Sequence, residues 1–413
     1  MILLRFGVAA RLGLLATGLL LGPASSSAAS PRGLWVLCEG SQRVLESPEK
    51  VDWLLADARA LGVTDLFVQV YRGGRAWFPS QHADAGPYAR VFRKGDSDAL
   101  DVLIRRAHAE GLRVHAWVNV FHLASNPTAP ILRDLGRRAA AVDQHGRSIL
   151  DYPGFEVPPP DRRYYRMGTP GVWLDPGAPG VRDRLVATFR ELVGRYPGLD
   201  GVHLDYIRYP DVLPFTPGAR FGVGLSFGYG EPSRARFLRE TGLVAPVGES
   251  LGNANRWDDW RRAEVTRTVG AISTGVRELA PQMRMSAAVI SDRERAYLVD
   301  FQDWAGWLDA GLIDFAVPML YTTDDRRLGY SLDAYRGLAQ SRELWVGLGS
   351  WLFRKEPERA RAQLRMVEGT PLGSALFSWD ALRETPGLLR ALSRPDPPPS
   401  DVSAAGSDDL APR

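Results

Sequence analysis

The sequence of 413 residues predicts an α/β protein, a (β/α)8 TIM barrel with long loops after strands 3 and 4. Eight short apolar runs have the character of buried parallel strands, and segments with helical periodicity separate them. No long linker interrupts this series, and no glycine-rich phosphate loop follows the first run. These observations favour the barrel over an open, doubly wound sheet.

The predicted strands are short and apolar, as strands buried on both faces are. In chain order they are Leu34–Cys38, Asp65–Tyr71, Arg113–Phe121, Gly201–Ile207, Arg284–Ile290, Asp314–Tyr321, Leu344–Ser350 and Ala375–Trp379. A glycine such as Gly62 or Gly111 repeatedly stands between a helical segment and the next strand, and glycine is the usual residue at a helix end. This order predicts a repeated unit of strand and helix.

The predicted helices carry apolar residues at helical spacing. In the first helix Val51, Leu54 and Ala58 share one face, and Ser47 precedes the helix as a capping residue. The predicted helices are Pro48–Leu61, Asp98–Glu110, Val181–Tyr196, Trp257–Leu279, Phe301–Ala310, Leu332–Ala339 and Pro357–Glu368. We expect these helices to form a ring outside the strands.

Two intervals between strands are much longer than the others. The extra length follows strand 3, over residues 122–172, and strand 4, over residues 209–256. Loops that follow strands lie at the carboxyl end of a barrel, where barrel enzymes hold their active sites. Both loops are rich in aromatic residues, whose rings can pack against the apolar faces of sugars. We expect these loops to form the walls of a cleft.

The two ends of the chain differ in composition from its middle. Residues 1–29 combine early arginines, an apolar run and small residues, which is typical of a secretory signal cleaved before Ser30. An uncleaved membrane anchor is the alternative. The domain is expected over residues 30–394, and residues 395–413 are expected to be a disordered tail. The sequence therefore predicts an exported protein, periplasmic or secreted, without membrane contact after cleavage.

The charge balance and the cysteine count exclude several kinds of partner. The 51 basic and 48 acidic residues give a net charge of +3, which does not indicate a nucleic-acid partner. The single cysteine, Cys38, allows neither an internal disulfide nor a CxxC metal site. We expect neither a metal ion nor a cofactor.

Polar side chains inside the strands indicate the chemistry. In strand 4, His203 and Asp205 share the face that would point into the barrel. The inward face of strand 2 adds Gln69, with Phe67 and Tyr71, and the inward face of strand 3 adds His115, Trp117 and Asn119. A carboxylate inside a barrel needs hydrogen-bond partners or a chemical role, and its place at the carboxyl end of a strand favours the chemical role. A structural ion pair between Asp205 and Arg208 is the alternative.

Seven short motifs occur in one order along the chain and resemble the glycosyl-hydrolase-like family 10, a family of exported bacterial (β/α)8 proteins. The motifs lie at residues 32–35, 67–70, 115–119, 174–177, 200–206, 302–304 and 317–321. The resemblance extends over residues 32–380 and implies hydrolysis of a bacterial polysaccharide, with peptidoglycan glycan strands as a substrate of some members. Arg75 departs from the pattern, because the family commonly has an acidic residue there.

Glycoside hydrolases generally use two carboxyl groups beside the scissile bond. Asp205 is the first candidate, as nucleophile or base. For the second carboxyl group, Glu39 after strand 1 and Asp303 before the helix after strand 5 rank ahead of Asp175, Asp324 and Asp325. The side chains expected to contact the polysaccharide substrate are Gln69, His115, Trp117, Asn119, His203, Arg208, Tyr321 and Trp379.

Two other classes of function are compatible with the same residues. A carbohydrate-binding barrel without catalysis would keep the cleft and lack the acid. An exported metal-dependent sugar hydrolase, such as a deacetylase, would use His203 and Asp205 as two metal ligands and would need further ligands from elsewhere.

Overall fold

The computed structural model describes residues 30–95, 97–215, 225–247 and 252–393. Eight parallel strands form a closed barrel, because the first strand pairs with both the second and the last. The strands are β1 (Arg32–Val36), β2 (Asp65–Arg72), β3 (Arg113–Asn119), β4 (Gly201–Asp205), β5 (Arg284–Ile290), β6 (Phe315–Met319), β7 (Glu343–Gly349) and β8 (Gly373–Phe377). The predicted (β/α)8 barrel is confirmed. The predicted signal and tail lie outside the described residues.

Thirteen α-helices lie within the described residues. They are α1 (Pro48–Leu61), α2 (Gly86–Gly95), α3 (Ala99–Ala109), α4 (Pro130–Leu135), α5 (Val181–Arg195), α6 (Glu231–Thr241), α7 (Ala254–Leu279), α8 (Arg293–Leu298), α9 (Trp304–Asp309), α10 (Asp325–Leu338), α11 (Pro357–Glu368), α12 (Trp379–Glu384) and α13 (Pro386–Leu392). Ser47 and Asp98 cap α1 and α3 with their side chains. In these described ranges no helix is both long and apolar enough to cross a membrane.

The barrel interior is filled by large rings and a few polar groups. Trp35, Phe67, Trp117, Phe315 and Trp345 belong to one buried cluster inside the strands. The alternate residues of the same strands pack outward against the helices in a second, larger core. The two-residue alternation therefore separates a mixed interior from an apolar outer layer, as the sequence predicts.

The strand bounds differ from the prediction where charged or small residues occupy a strand. Strand β1 begins at Arg32, which is buried and donates to the carbonyl of Leu61 and to Glu368. Strand β8 begins at Gly373 and ends at Phe377, two residues earlier at each end than predicted. A search for apolar runs does not find strand residues such as Arg32 and Gly373, because their burial depends on partners that are distant in the sequence.

One extra residue in β2 changes the direction of the side chains that follow it. Gln69 is paired with Trp117, but Tyr71 is paired with Val118, so the register shifts between them. Tyr71 consequently packs in the outer core. The expectation that Tyr71 points into the barrel with Gln69 is wrong, because the bulge breaks the alternation.

The two long loops are tied to each other at the carboxyl end of the barrel. A short antiparallel pair joins Tyr165–Met167 to Val212–Pro214. Asp175 of the first loop accepts hydrogen bonds from the hydroxyl of Ser233 at 2.8 Å and from the backbone of Gly177 at 2.9 Å. Burial raises the pKa of Asp175 to about 6. Asp175 therefore connects the loops and belongs to their structure.

Candidate active site

A pocket of about 320 Å³ opens at the carboxyl ends of the strands, the end at which barrel enzymes bind substrates. Its lining comes from the strand ends and from the residues just beyond them: Trp35, Leu37, Glu39, Gly40, Gln69, Arg72, Trp117, Asn119, Asp205, Tyr206, Arg208, Ala288, Met319, Tyr321 and Phe377. The structure thus brings together five of the side chains that the sequence places at the substrate, together with Asp205 and Glu39. The five are Gln69, Trp117, Asn119, Arg208 and Tyr321, and the ring of Tyr206, which was not predicted, lines the pocket with them.

Asp205 ends β4 and is 6% exposed. Its Oδ2 accepts a hydrogen bond from the indole N–H of Trp117 at 3.0 Å, and its Oδ1 accepts one from the backbone N–H of Tyr206 at 2.7 Å. Burial raises the pKa of Asp205, while the charge of Arg208 and these two donors oppose the rise. Both oxygens are therefore oriented by N–H groups that favour the charged carboxylate.

Two amide side chains form a fixed part of the pocket lining. The thiol of Cys38 donates to Gln69 Oε1 at 3.2 Å, and Gln69 Nε2 donates to Asn119 Oδ1 at 3.1 Å. Burial raises the pKa of Cys38, so its thiol remains protonated and can donate. Asn119 is the register partner of Asp205, so this chain of hydrogen bonds ends beside the carboxylate.

Glu39 is the second carboxylate among the lining residues of this pocket. Arg72 donates to its Oε2, and Arg75 contacts both oxygens, at 2.8 Å to Oε1 and 3.0 Å to Oε2. Glu39 is therefore held by two guanidinium groups, in contrast to Asp205, which is held by an indole and a backbone N–H.

Arg208 lies 5% exposed beside Asp205 and packs against aromatic rings. Its guanidinium carbon lies 4.8 Å from the ring centre of Tyr206 and 5.7 Å from that of Trp173. The carboxylate in ion-pair range is Asp300, at 3.9 Å. Burial, followed by the nearby charge of Asp211, raises the pKa of Asp300 to about 7. The alternative of an ion pair between Asp205 and Arg208 is thus replaced by a pair with Asp300.

The two inward histidines lie deeper in the barrel than the pocket. His203 Nε2 accepts from the indole N–H of Trp35 at 3.0 Å, and its Nδ1 lies 2.8 Å from the hydroxyl of Ser286. Burial lowers the pKa of His203, so the ring is neutral. His115 Nε2 lies 2.9 Å from Asp65 at the other end of the strands. The expectation that His115 and His203 contact substrate is corrected, because both side chains are fully buried within the barrel and neither lines the pocket.

Asp303 and Trp379 also lie outside the pocket. Asp303 accepts the backbone N–H of Gly306 at 3.1 Å and caps α9. Trp379 is fully buried, and its indole donates to Asp57 at 2.8 Å. The expectation that Asp303 is catalytic is corrected, because a carboxylate that caps a helix has the same position in the sequence as a catalytic one. The expectation that Trp379 contacts substrate is corrected, because β8 ends before Trp379.

The rings that line the pocket come from strand ends and not from the long loops. Trp35, Trp117, Tyr206, Tyr321 and Phe377 supply them. Among the described residues of the long loops no aromatic ring lines this pocket, and the rings of Tyr152 and Phe227, for example, lie 6.0 Å apart. Phe377 was not predicted as a pocket residue. Ala375, two residues earlier in β8, points into the barrel, and the alternation of side chains along a strand places Phe377 on the same face.

The described part of the chain contains no group of three or more His, Cys, Asp or Glu side chains arranged to hold a metal ion. The pocket itself offers carboxylates, amides, an arginine pair and aromatic rings.

Comparison with known proteins finds sequence relatives among glycosyl hydrolases. The family model described as Glycosyl hydrolase-like 10 matches residues 31–342. Glycosyl hydrolase DigH of Escherichia coli O6:H1 is 25% identical over 367 residues, which cover 83% of this chain and 73% of that protein. The protein of the same name from Escherichia coli K12 is 25% identical over 289 residues, 66% of this chain and 57% of its own length.

Solved glycosidases share the fold. A catalytic mutant of Gan42B, a GH42 beta-galactosidase from G. stearothermophilus, has a TM-score of 0.55 at 14% identity, covering 88% of this chain and 56% of its own. The catalytic domain of beta-amylase from Paenibacillus polymyxa has a TM-score of 0.54 at 12% identity, covering 89% of this chain and 100% of its own. At these identities the likeness shows the (β/α)8 fold alone.

Proposed function

Because the chain belongs to the glycosyl hydrolase-like 10 family, we propose that it is a glycoside hydrolase that cleaves a bacterial polysaccharide. Peptide-free peptidoglycan glycan strands are the first substrate to test. The observation that carries this proposal is the buried Asp205, oriented by two N–H donors in a pocket lined by aromatic rings and amides.

The pocket supplies both kinds of contact that a sugar needs. The rings of Tyr321 and Phe377 offer apolar faces to sugar C–H groups, and Gln69 and Asn119 offer hydrogen-bonding groups to hydroxyls. Its volume of about 320 Å³ is at the lower end of the range for small-ligand pockets, roughly 300–1,000 Å³. This lining supports sugar residues as the occupants of the pocket.

Asp205 acts in this proposal as the nucleophile or base. Its two hydrogen bonds and the charge of Arg208 favour the anion that either role requires, against the opposing effect of burial. A carboxylate with a raised pKa is a stronger base than an exposed one, provided that it is deprotonated at the working pH. We therefore expect activity to rise with pH through the raised pKa of Asp205.

Glu39 is the partner carboxyl in this proposal. Asp205 and Glu39 are the carboxylates among the lining residues, whereas Asp303 faces a helix end. Glu39 must give up its bonds to Arg72 and Arg75 before it can carry a proton to the leaving group. We place that exchange at substrate binding, when the sugar chain reaches the arginines.

Export is part of the same proposal. Residues 1–29 act as a signal removed before Ser30, and the domain of residues 30–394 then works in the periplasm or outside the cell, where the polysaccharide is. The intact mass of the protein recovered from the producing cells tests this point, and a chain that keeps residues 1–29 in the cytoplasm would contradict it.

The test of activity compares three outcomes on peptide-free peptidoglycan strands. Glycoside hydrolysis predicts new reducing ends, with shortened oligosaccharides in the mass spectrum. Calorimetric binding without new reducing ends would replace the proposal with a carbohydrate-binding protein. Release of acetate that a chelator abolishes, again without new reducing ends, would replace it with a metal-dependent deacetylase.

A further inference from the structure

A second, open cavity of about 890 Å³ adjoins the candidate active site. It shares Glu39 and Arg72 with the pocket that contains Asp205, so the two are continuous along this edge. Five cationic side chains line it, and we call it the basic basin: Arg43, Lys50, Arg72, Arg75 and Arg90. Glu39 and Glu46 are the carboxylates of its lining.

The carboxylates of the basin leave much of its positive charge uncompensated. Glu39 is already bound to Arg72 and Arg75. Glu46 alone faces Arg43 at 3.6 Å and Lys50 at 4.0 Å.

Arg90 has no carboxylate within ion-pair distance among the described residues. Five cations against two carboxylates leave a local surplus as large as the net charge of +3 of the entire chain. Among the residues that line the basin, the carboxylates therefore do not balance the cations.

We propose that the basic basin binds an anionic substituent, a carboxylate or a phosphate, on a sugar next to the cleavage site. This inference rests on the proposed glycoside hydrolysis, because a glycan that leaves the pocket past Glu39 and Arg72 enters the basin. Like charges that converge on a concave surface concentrate the electric field there and attract anions. Trp77 and Pro87 supply apolar atoms to the lining of the basin.

The experiment measures binding by calorimetry in the full-length Asp205→Asn protein, so that cleavage does not interfere. Three probes are compared. The first is a peptide-free peptidoglycan tetrasaccharide, which carries carboxylates. The second is chitotetraose, which has the same backbone without carboxylates, and the third is phosphorylated chitotetraose. Comparing the first and third probes distinguishes carboxylate from phosphate as the source of the charge.

The test variant is Arg43→Gln/Arg90→Gln, since both side chains line the basin and neither lines the pocket of Asp205. The control is Arg239→Gln/Arg326→Gln, which removes the same charge from exposed positions that line neither cavity. We expect the test variant to bind the charged tetrasaccharides about tenfold more weakly, equivalent to about 1.4 kcal/mol, and chitotetraose as before. The preference for charged probes should disappear in about 1 M salt.

Equal affinity for charged and neutral tetrasaccharides would overturn the inference, and so would an equal loss in the control variant. Failure of the proposed function has a different signature. Wild-type protein that prefers charged probes but releases no reducing ends would retain the basin and refute hydrolysis. Wild-type protein that cleaves both kinds of strand, while charged and neutral tetrasaccharides bind with equal affinity, would support hydrolysis and refute anion binding in the basin.

Discussion

A Trp117→Phe substitution removes the indole N–H that donates to Asp205 Oδ2 at 3.0 Å and keeps an aromatic ring in the barrel. The second donor, the backbone N–H of Tyr206, remains in place. Since the lost hydrogen bond stabilises the charged carboxylate, its removal raises the pKa of Asp205 further. If Asp205 works as an anion, activity must then appear only at higher pH.

The size of the shift follows from the strength of one hydrogen bond to a charged group, about 1.5–3 kcal/mol. One pKa unit corresponds to about 1.36 kcal/mol, so the pKa of Asp205 should rise by about 1 to 2 units. The acidic limb of kcat/KM should move up by the same amount. At a pH below the limb, Trp117→Phe should be about 10- to 100-fold slower than the wild type.

The assay is the pH profile of reducing-end release from peptide-free glycan strands. Trp345→Phe is the matched control, because its buried indole also donates to a carboxylate, that of Glu343 at 2.8 Å, away from the pocket. The reasoning is refuted if Trp117→Phe leaves the acidic limb unmoved, or if Trp345→Phe moves it equally.

Three further substitutions test the surroundings of the site. The pKa of Asp300, about 7, lies above its value in the unfolded chain, so the wild type loses stability as pH rises from 4 through 7. Asp300→Asn lacks this titration, so the Tm of the variant relative to the wild type should rise over the same pH range. A Tm difference that stays constant with pH would contradict the buried environment of Asp300. Asp303→Ala should lower the free energy of unfolding by about 1 kcal/mol, measured with urea, and leave turnover per folded molecule unchanged, because it removes only a helix cap. Trp379→Phe should lower Tm, because it removes the hydrogen-bond donor to Asp57, and should leave the calorimetric Kd for glycans unchanged. A higher Kd would indicate that Trp379 contacts the substrate.

The sequence was sufficient to predict the parts of the site that depend on regular alternation. Trp117, Asn119 and Asp205 lie on unbroken strands whose other face is apolar, so a period of two residues gives their direction. The parallel pairing of these strands then places Asn119 beside Asp205.

Alternation fails where a strand gains a residue or ends. Tyr71 follows the bulge in β2, and Trp379 follows the end of β8, so both point away from the positions that counting predicts. Asp303 fails for another reason: a carboxylate before a helix has the same local sequence whether it caps the helix or faces a substrate. The basic basin was not predicted, because α1, β2 and α2 contribute cations that only the fold brings together.

The turnover of Asp205→Asn per folded molecule tests most directly whether the pocket at the barrel mouth hydrolyses glycans. Reducing-end release is measured together with thermal unfolding of the same sample, and Asp303→Asn serves as the control for replacing a carboxylate outside the pocket. Loss of a catalytic carboxylate should slow turnover by at least about 10²-fold while the protein stays folded and still binds the glycan. A folded Asp205→Asn protein with nearly wild-type turnover would contradict a catalytic role for Asp205.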